Sequence, residues 1–185
     1  MPSKGQIVTN PISGDSYEFV QTARDTQGQF VSMKATIHRQ GKSVPDHFHT
    51  QQDETFEVIA GQLTIIVDGK TSVLSAGEQI TLVRNRPHNH YNASGETVIY
   101  KHTVQPALDF EYLIENLFGL LSDSRRRDGK LSMVQQLVTL KYLDSKSFLA
   151  DISPRVQILL MNTIAPVARL FGYRAIYKKY SGIEK

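Results

Sequence analysis

His47, His49 and Glu54 are the side chains of this chain best placed by type and spacing to do chemistry. All three fall in the run from Gly41 to Gly61, which reads G-KSVPD-H-F-H-TQQD-E-TFEVIA-G. On a strand, positions two apart project to one face, so His47 and His49 point the same way. A polar turn, Thr50-Gln51-Gln52-Asp53, precedes Glu54. A strand reversing there brings the carboxylate back over the imidazole pair. Two imidazoles and a carboxylate converging on one point suit a divalent transition metal. Asp53 rivals Glu54 as the ligand, but the spacing to Gly61 favours Glu54. A complete site needs more ligands. The segment Gly77–Asn92, G-EQITL-VRN-RP-H-NHY-N, offers His88 as the fourth. His90 and Asn92 follow at intervals of two and share its face if the segment is a strand.

The elements that must position these residues are short strands. Candidates are Gln6–Thr9, Ser16–Thr22, Gln29–His38, Glu54–Ala60, Gln62–Val67, Thr71–Leu74, Gln79–Val83, His88–Asn92 and Glu96–Val104. Most are rich in β-branched and aromatic residues and are bounded by turn residues such as Asn10-Pro11, Asp68-Gly69 and Ser94-Gly95. Asp68-Gly69 between two β runs is a hairpin signal. Strands at this spacing predict a mainly β sandwich or barrel, with the jelly roll as one option. Leu63–Val67 is apolar on nearly both faces, as a strand covered inside by a sheet and outside by a partner would be.

At Pro106 the period changes to that of helices. One helix is expected from Leu108 to Leu121, stopping between Ser122 and Asp128, before Gly129. A second fits Leu131–Leu143. A third starts at Ser153-Pro154, a good cap and first-position pair, and ends at Gly172, with Pro166 predicting a kink or a break. The preferred packing puts these helices on the β domain or on a second subunit. The third helix is interrupted by polar residues and falls short of the roughly 20 apolar residues of a membrane span. Peripheral membrane contact by it and the Tyr173–Tyr180 tail is the lesser alternative.

Composition narrows the function. The chain has 185 residues and no cysteine, so a metal must rely on histidine and carboxylate rather than thiolate. The polar N-terminus MPSKGQIVTNP lacks the apolar core of a signal peptide, and the expected location is cytoplasmic. The formal net charge is only +3. Its two basic clusters, Arg125-Arg126-Arg127 and Lys178-Lys179, read as solvated faces, and no nucleic-acid partner is expected.

The spacing Gly41-x5-His47-x-His49-x4-Glu54-x6-Gly61 resembles the first motif of the cupin superfamily at every fixed position. The second motif is resembled at Gly77, His88 and Asn92. It departs at Val83, where proline is usual, and at Asn85, where glycine is usual. Asparagine tolerates the left-handed backbone best among the other residues, so the turn can survive. The resemblance covers about Gln6 to Pro106. More closely, the chain resembles small bacterial cupins with a helical C-terminal extension, through landmarks such as Gln52-Asp53-Glu54-Thr55-Phe56-Glu57-Val58, Leu117-Phe118-Gly119 and Leu170-Phe171-Gly172-Tyr173. It implies a double-stranded β-helix barrel over residues 1–106, followed by an extension of about three helices over 107–185. It also implies one divalent metal ion inside the barrel, on His47, His49, Glu54 and His88.

The ligand set tolerates Fe, Mn, Ni, Cu or Zn and leaves room for a small oxygenated molecule with adjacent oxygens. Two readings follow. One is a metal-dependent dioxygenase or isomerase, the other a non-catalytic small-molecule binding or sensing module. His90 is the candidate catalytic residue, as a general base; alternatively it orients His88's surroundings or sits at the barrel rim. His38 and His102 read as strand framework residues, with pocket lining by His102 and Tyr100 as the alternative. Strand parity sends Glu57 outward and Phe48 away from the metal. Apolar strand faces and helices give reason to expect a homodimer.

Overall fold

Turn chemistry divides residues 7–105 into ten strands, and a two-residue alternation of burial marks the inner face most clearly in the two longest, at 53–60 and 98–105. These are β1 (Ile7–Thr9), β2 (Ser16–Gln21), β3 (Val31–Ile37), β4 (His47–His49), β5 (Asp53–Ala60), β6 (Gln62–Val67), β7 (Lys70–Ser75), β8 (Gln79–Leu82), β9 (His88–Tyr91) and β10 (Val98–Gln105). The remainder forms α1 (Phe110–Asp123), α2 (Met133–Tyr142), the short strand β11 (Ser147–Leu149), α3 (Pro154–Leu170) and α4 (Lys178–Ser181). This computed structural model describes residues 2–42, 44–123 and 131–185; the Arg125–Arg127 cluster and the expected helix stop before Gly129 lie outside them.

The strands build two antiparallel sheets, ordered β1-β2-β3-β10-β5-β8 and β11-β4-β9-β6-β7. Their inner faces meet in a jelly-roll core of Ala35, Phe56, Val58, Leu63, Ile65, Leu82, Val98 and Tyr100. The Asp68-Gly69 turn closes the β6–β7 hairpin with positive φ at both residues (48° and 75°), the backbone of a type I′ turn. Gly61 turns β5 into β6 at φ 76°, and a Cβ there would stand 2.6 Å from the Thr97 carbonyl oxygen, so only glycine fits.

α1 closes one end of the barrel. Phe110, Ile114 and Phe118 share a core with Phe19, Val31, Met33 and Val104. The i, i+4 spacing of those three aligns them on one side of the helix. Further on, Ser132 caps α2, its side chain accepting from the Gln135 amide, as expected of a serine before a helix. α3 runs unbroken through Pro166, and the backbone turns at Gly172 with φ 90°. A fourth, four-residue helix adds to the three expected.

A strand of the extension that the sequence does not announce is β11. It pairs antiparallel with β4, Phe148 opposite Phe48. The two rings stack at 5.7 Å, and Phe148 joins Leu137 and Met161 of the helices in a small core. The strand carrying His47 and His49 is therefore held between the barrel on one edge and the extension on the other.

Candidate metal centre

Strand pairing assembles the site. β4 and β9 meet at the His47–His88 pair, whose rings lie 4.8 Å apart. His49, two residues along β4, turns its ring to the same side, 5.2 Å from His47 and 5.6 Å from His88. Glu54 opens β5 from the opposite sheet and points inward, with Phe56 and Val58 following it at period two. The turn that departs from the usual pattern is intact. Asn85 takes φ 64°, and its amide donates to the His49 carbonyl at 2.7 Å, tying the approach to His88 onto the ligand strand.

One ligand atom from each of His47, His49, Glu54 and His88 lies within 4.8 Å of all the others. That suits a single ion with bonds of about 2.0–2.2 Å. Hydrogen bonding fixes the tautomers. His47 donates from Nδ1 to the Pro45 carbonyl at 2.9 Å, and His88 from Nδ1 to the Arg86 carbonyl at 2.8 Å. Both Nε2 lone pairs then face inward. His88 Nε2 sits 2.9 Å from Glu54 Oε2, yet neither atom has an aligned hydrogen-bond partner. Two buried lone-pair atoms this close need a proton or a cation between them. The donor set therefore fits a divalent transition ion, and these residues were brought together as expected.

Charge supports the fit. Burial alone would push the Glu54 carboxyl up, but His49, His102 and His88 around it outweigh burial and hold it well below the usual carboxylate range. Burial lowers His47, and lowers His49 to about 4, so both are neutral ligands at pH 7. His88 feels the same burial, but its closeness to Glu54 reverses the sign and raises it. The cluster thus presents one ionised carboxylate beside the neutral imidazoles of His47 and His49.

His102 is the residue that sequence reasoning undervalued. It is buried on β10 and donates from Nε2 to Glu54 Oε1 at 3.0 Å. Its ring stacks on Phe56 at 4.5 Å and meets Phe110 of α1 edge-on at 5.7 Å. The signal was available: His102 alternates with Tyr100 and Val104 on the inner face of β10. Across β10 and β5, His102 pairs with Phe56 and Val104 with Glu54, so His102 is diagonal to the ligand.

His90 lies deeper. Its ring packs on Phe56 at 4.4 Å and on Tyr100 at 5.8 Å, and its Nδ1 is enclosed without a partner. Burial lowers it to about 3, so it is a neutral imidazole at pH 7. The remaining placements follow parity. Asp53 faces out and pairs with Arg84 at 2.9 Å, Glu57 is exposed, and Phe48 faces β11. His38 bonds Thr97 at 3.0 Å, away from the centre. Asn92 is buried and acts as a turn former, donating to the Glu96 carbonyl and accepting from Ser94.

The Cupin domain family matches residues 33–104, which span β3 to β10 and all four ligand positions. Quercetin 2,3-dioxygenase of Bacillus subtilis is 29% identical over 80 residues, 43% of this chain and 23% of that protein. Oxidoreductase OpS7 of Beauveria bassiana is 23% identical over 171 residues, 74% of this chain and 56% of that protein. The chain thus spans from 23% to 56% of the length of these relatives. A cupin-superfamily sugar phosphate isomerase from Silicibacter pomeroyi has a similar structure, with a TM-score of 0.47 at 16% identity, over 56% of this chain and 75% of that one.

Proposed function

We propose that this chain, whose residues 33–104 match the Cupin domain family, is a metal-dependent enzyme of the dioxygenase type, acting on a small oxygenated molecule with adjacent oxygens. The observation that carries the reading is the inward-facing set of His47, His49, Glu54 and His88, with Glu54 Oε2 and His88 Nε2 buried and unpartnered. Names among the relatives, a dioxygenase and an oxidoreductase, favour oxidation over isomerisation. An isomerase remains compatible with the same ligands, because both chemistries begin from a polarised, chelated oxygen.

When bound, a divalent transition ion supplies Lewis acidity and, if redox-active, a path for electrons to O2. The chain's own residues do the rest. Glu54 contributes one negative charge, which leaves the set short of neutralising a divalent ion and favours an anionic ligand. Phe56 and Phe110 wall the centre with apolar surface, limiting water. His47, half-buried, marks the side from which a ligand can enter. His90, the candidate general base, is lowered by burial to about 3 and packed on Phe56 and Tyr100, which favours its alternative as a structural neutral imidazole in this proposal. Barrel (1–106) and extension (107–185) act as one unit, since β11 pairs with the ligand strand. The working form is a cytoplasmic homodimer. No helix among the described residues is long and apolar enough to cross a membrane.

The same β4–β11 pairing favours a second reading, a non-catalytic sensing module in which a ligand at His47 and His49 is felt directly by the helices. Oxygen-electrode assays separate the two. Iron- and manganese-loaded protein with a panel of flavonols and other enediol-type compounds should consume O2 stoichiometrically with substrate loss. Tight binding of such compounds without turnover for any metal would support the sensing module instead.

A further inference from the structure

α3 buries one side, through Gln157, Met161, Ala165 and Ala168, and turns the rest to solvent. That outer side is apolar. Val156, Leu159, Leu160, Val167, Leu170 and Phe171 are all exposed, Leu170 by 85% and Phe171 by 80%. Single exposed apolar residues are ordinary, but a contiguous face on one helix is not. Together the six present roughly 650 Å², close to the ~800 Å² per partner of a standard interface. Their spacing is ordered as well. Val156, Leu160, Thr163, Val167 and Leu170 recur at intervals of 4, 3, 4 and 3, the a/d period of a helix–helix seam.

Thr163, Val167 and Phe171 form one wall of a groove of about 400 Å³, completed by Val134, Ile164, Ala168 and Tyr173. A protruding Leu170 next to a groove walled by the same helix face is self-complementary, as a two-fold interface requires. A lipid surface would need basic residues flanking the apolar stripe. The basic residues near the stripe are mostly engaged within the chain: Arg169 is stacked over the Tyr142 ring at 4.4 Å, Arg174 pairs with Glu184 at 2.9 Å and Lys179 pairs with Asp123.

We infer that the outer face of α3 is the dimer interface, covered by α3 of a second copy running antiparallel, with Leu170 of each copy seated in the other's groove. This deepens the homodimer reading given above and is independent of the metal chemistry. Thr163, at the middle of the seam, then lies opposite its counterpart across the two-fold axis.

Sedimentation velocity of the full chain should give a species of twice 20.8 kDa. Val167→Glu with Leu170→Glu, both at exposed positions, should raise the dimer dissociation constant roughly thirtyfold or more, the size of a hot-spot loss. Metal content per chain should stay at the wild-type level. Ile59→Glu, on the exposed side of β5, should leave the dimer intact. Since the chain has no cysteine, Thr163→Cys supplies a test that does not depend on a destabilising charge. Mild oxidation should link it into a covalent dimer, and Ser72→Cys on β7 should not. A monomer at all concentrations, a dimer untouched by the double substitution, or flotation of the monomer with anionic vesicles would each overturn the assignment. Unchanged metal content in that case would leave the metal-centre reading standing.

Discussion

Inside the barrel, Glu54 and His88 are 2% exposed and His49 and His102 are 3% exposed; on α3, Leu170 and Phe171 stand almost free of the protein. Ordinary folding puts ionisable groups outside and large apolar ones inside. The two regions depart from that in opposite directions, and each departure points to an absent occupant of matching chemistry. An ionised carboxylate taken out of water costs several kcal/mol unless charge and hydrogen bonds compensate it. Here the compensation is partial: Glu54 Oε1 has His102, while Oε2 faces only a lone pair. A cation completes that account. On α3 the deficit is one of contact, and the apolar helix face of the proposed second copy would complete it. The polar defect is local and demands geometry within tenths of an ångström. The apolar one is broad and tolerant.

The comparison breaks most sharply if either occupant can be removed without consequence. His88→Ala or Glu54→Gln should reduce metal loading to a small fraction of wild type, measured by elemental analysis after exhaustive dialysis, because each removes one of only four ligands. The seam substitutions on α3 come next, with the roughly thirtyfold loss of dimer affinity stated above. A smaller effect is expected at His102, which positions Glu54. His102→Ala should weaken metal affinity by about 10–100-fold while leaving saturable loading at one site, and His102→Gln, which keeps a donor, should recover part of the loss. Competition titration with a chelating dye reads this directly.

The smallest effect lies in α1, where buried carboxylates serve no centre. Burial raises Glu115 above its usual range, against a hydrogen bond from Gln6, and its Oε2 has no partner. A raised folded-state carboxyl binds a proton that the unfolded chain has already released. It therefore costs stability as pH rises from 4.5 through its folded value, and the cost persists at pH 7. Glu115→Gln should remove that dependence and raise the melting temperature at pH 7 by about 2–4 °C, the shift that roughly 1 kcal/mol gives in a chain of this size. Thermal scans between pH 4 and 8 check the sign.

Much of this was legible before any coordinates. Turn residues and alternation located most of the barrel strands, and helical period located α1, α2 and α3. The ligand positions carried their own spacing. What escaped is what depends on tertiary partners. β11 is only Ser-Phe-Leu, too short for a period, and it is a strand because β4 offers an open edge. His102 sits in an ordinary alternating strand, and its role appears only when β10 pairs with β5 in a register that puts it diagonal to Glu54. His90 shares strand parity with His88, yet packing on Phe56 and Tyr100 separates its ring from the ligand cluster.

The inward-facing lone pairs of His47, His49, Glu54 and His88 are the proposed metal site. Elemental analysis of untagged protein, beside its His88→Ala variant, tests it most directly. Close to one transition metal ion per wild-type chain, with far less in the variant, is the predicted result. Metal-free wild-type protein that also takes up none on incubation with iron, manganese, nickel, copper or zinc would contradict it, as would equal loading of the two proteins.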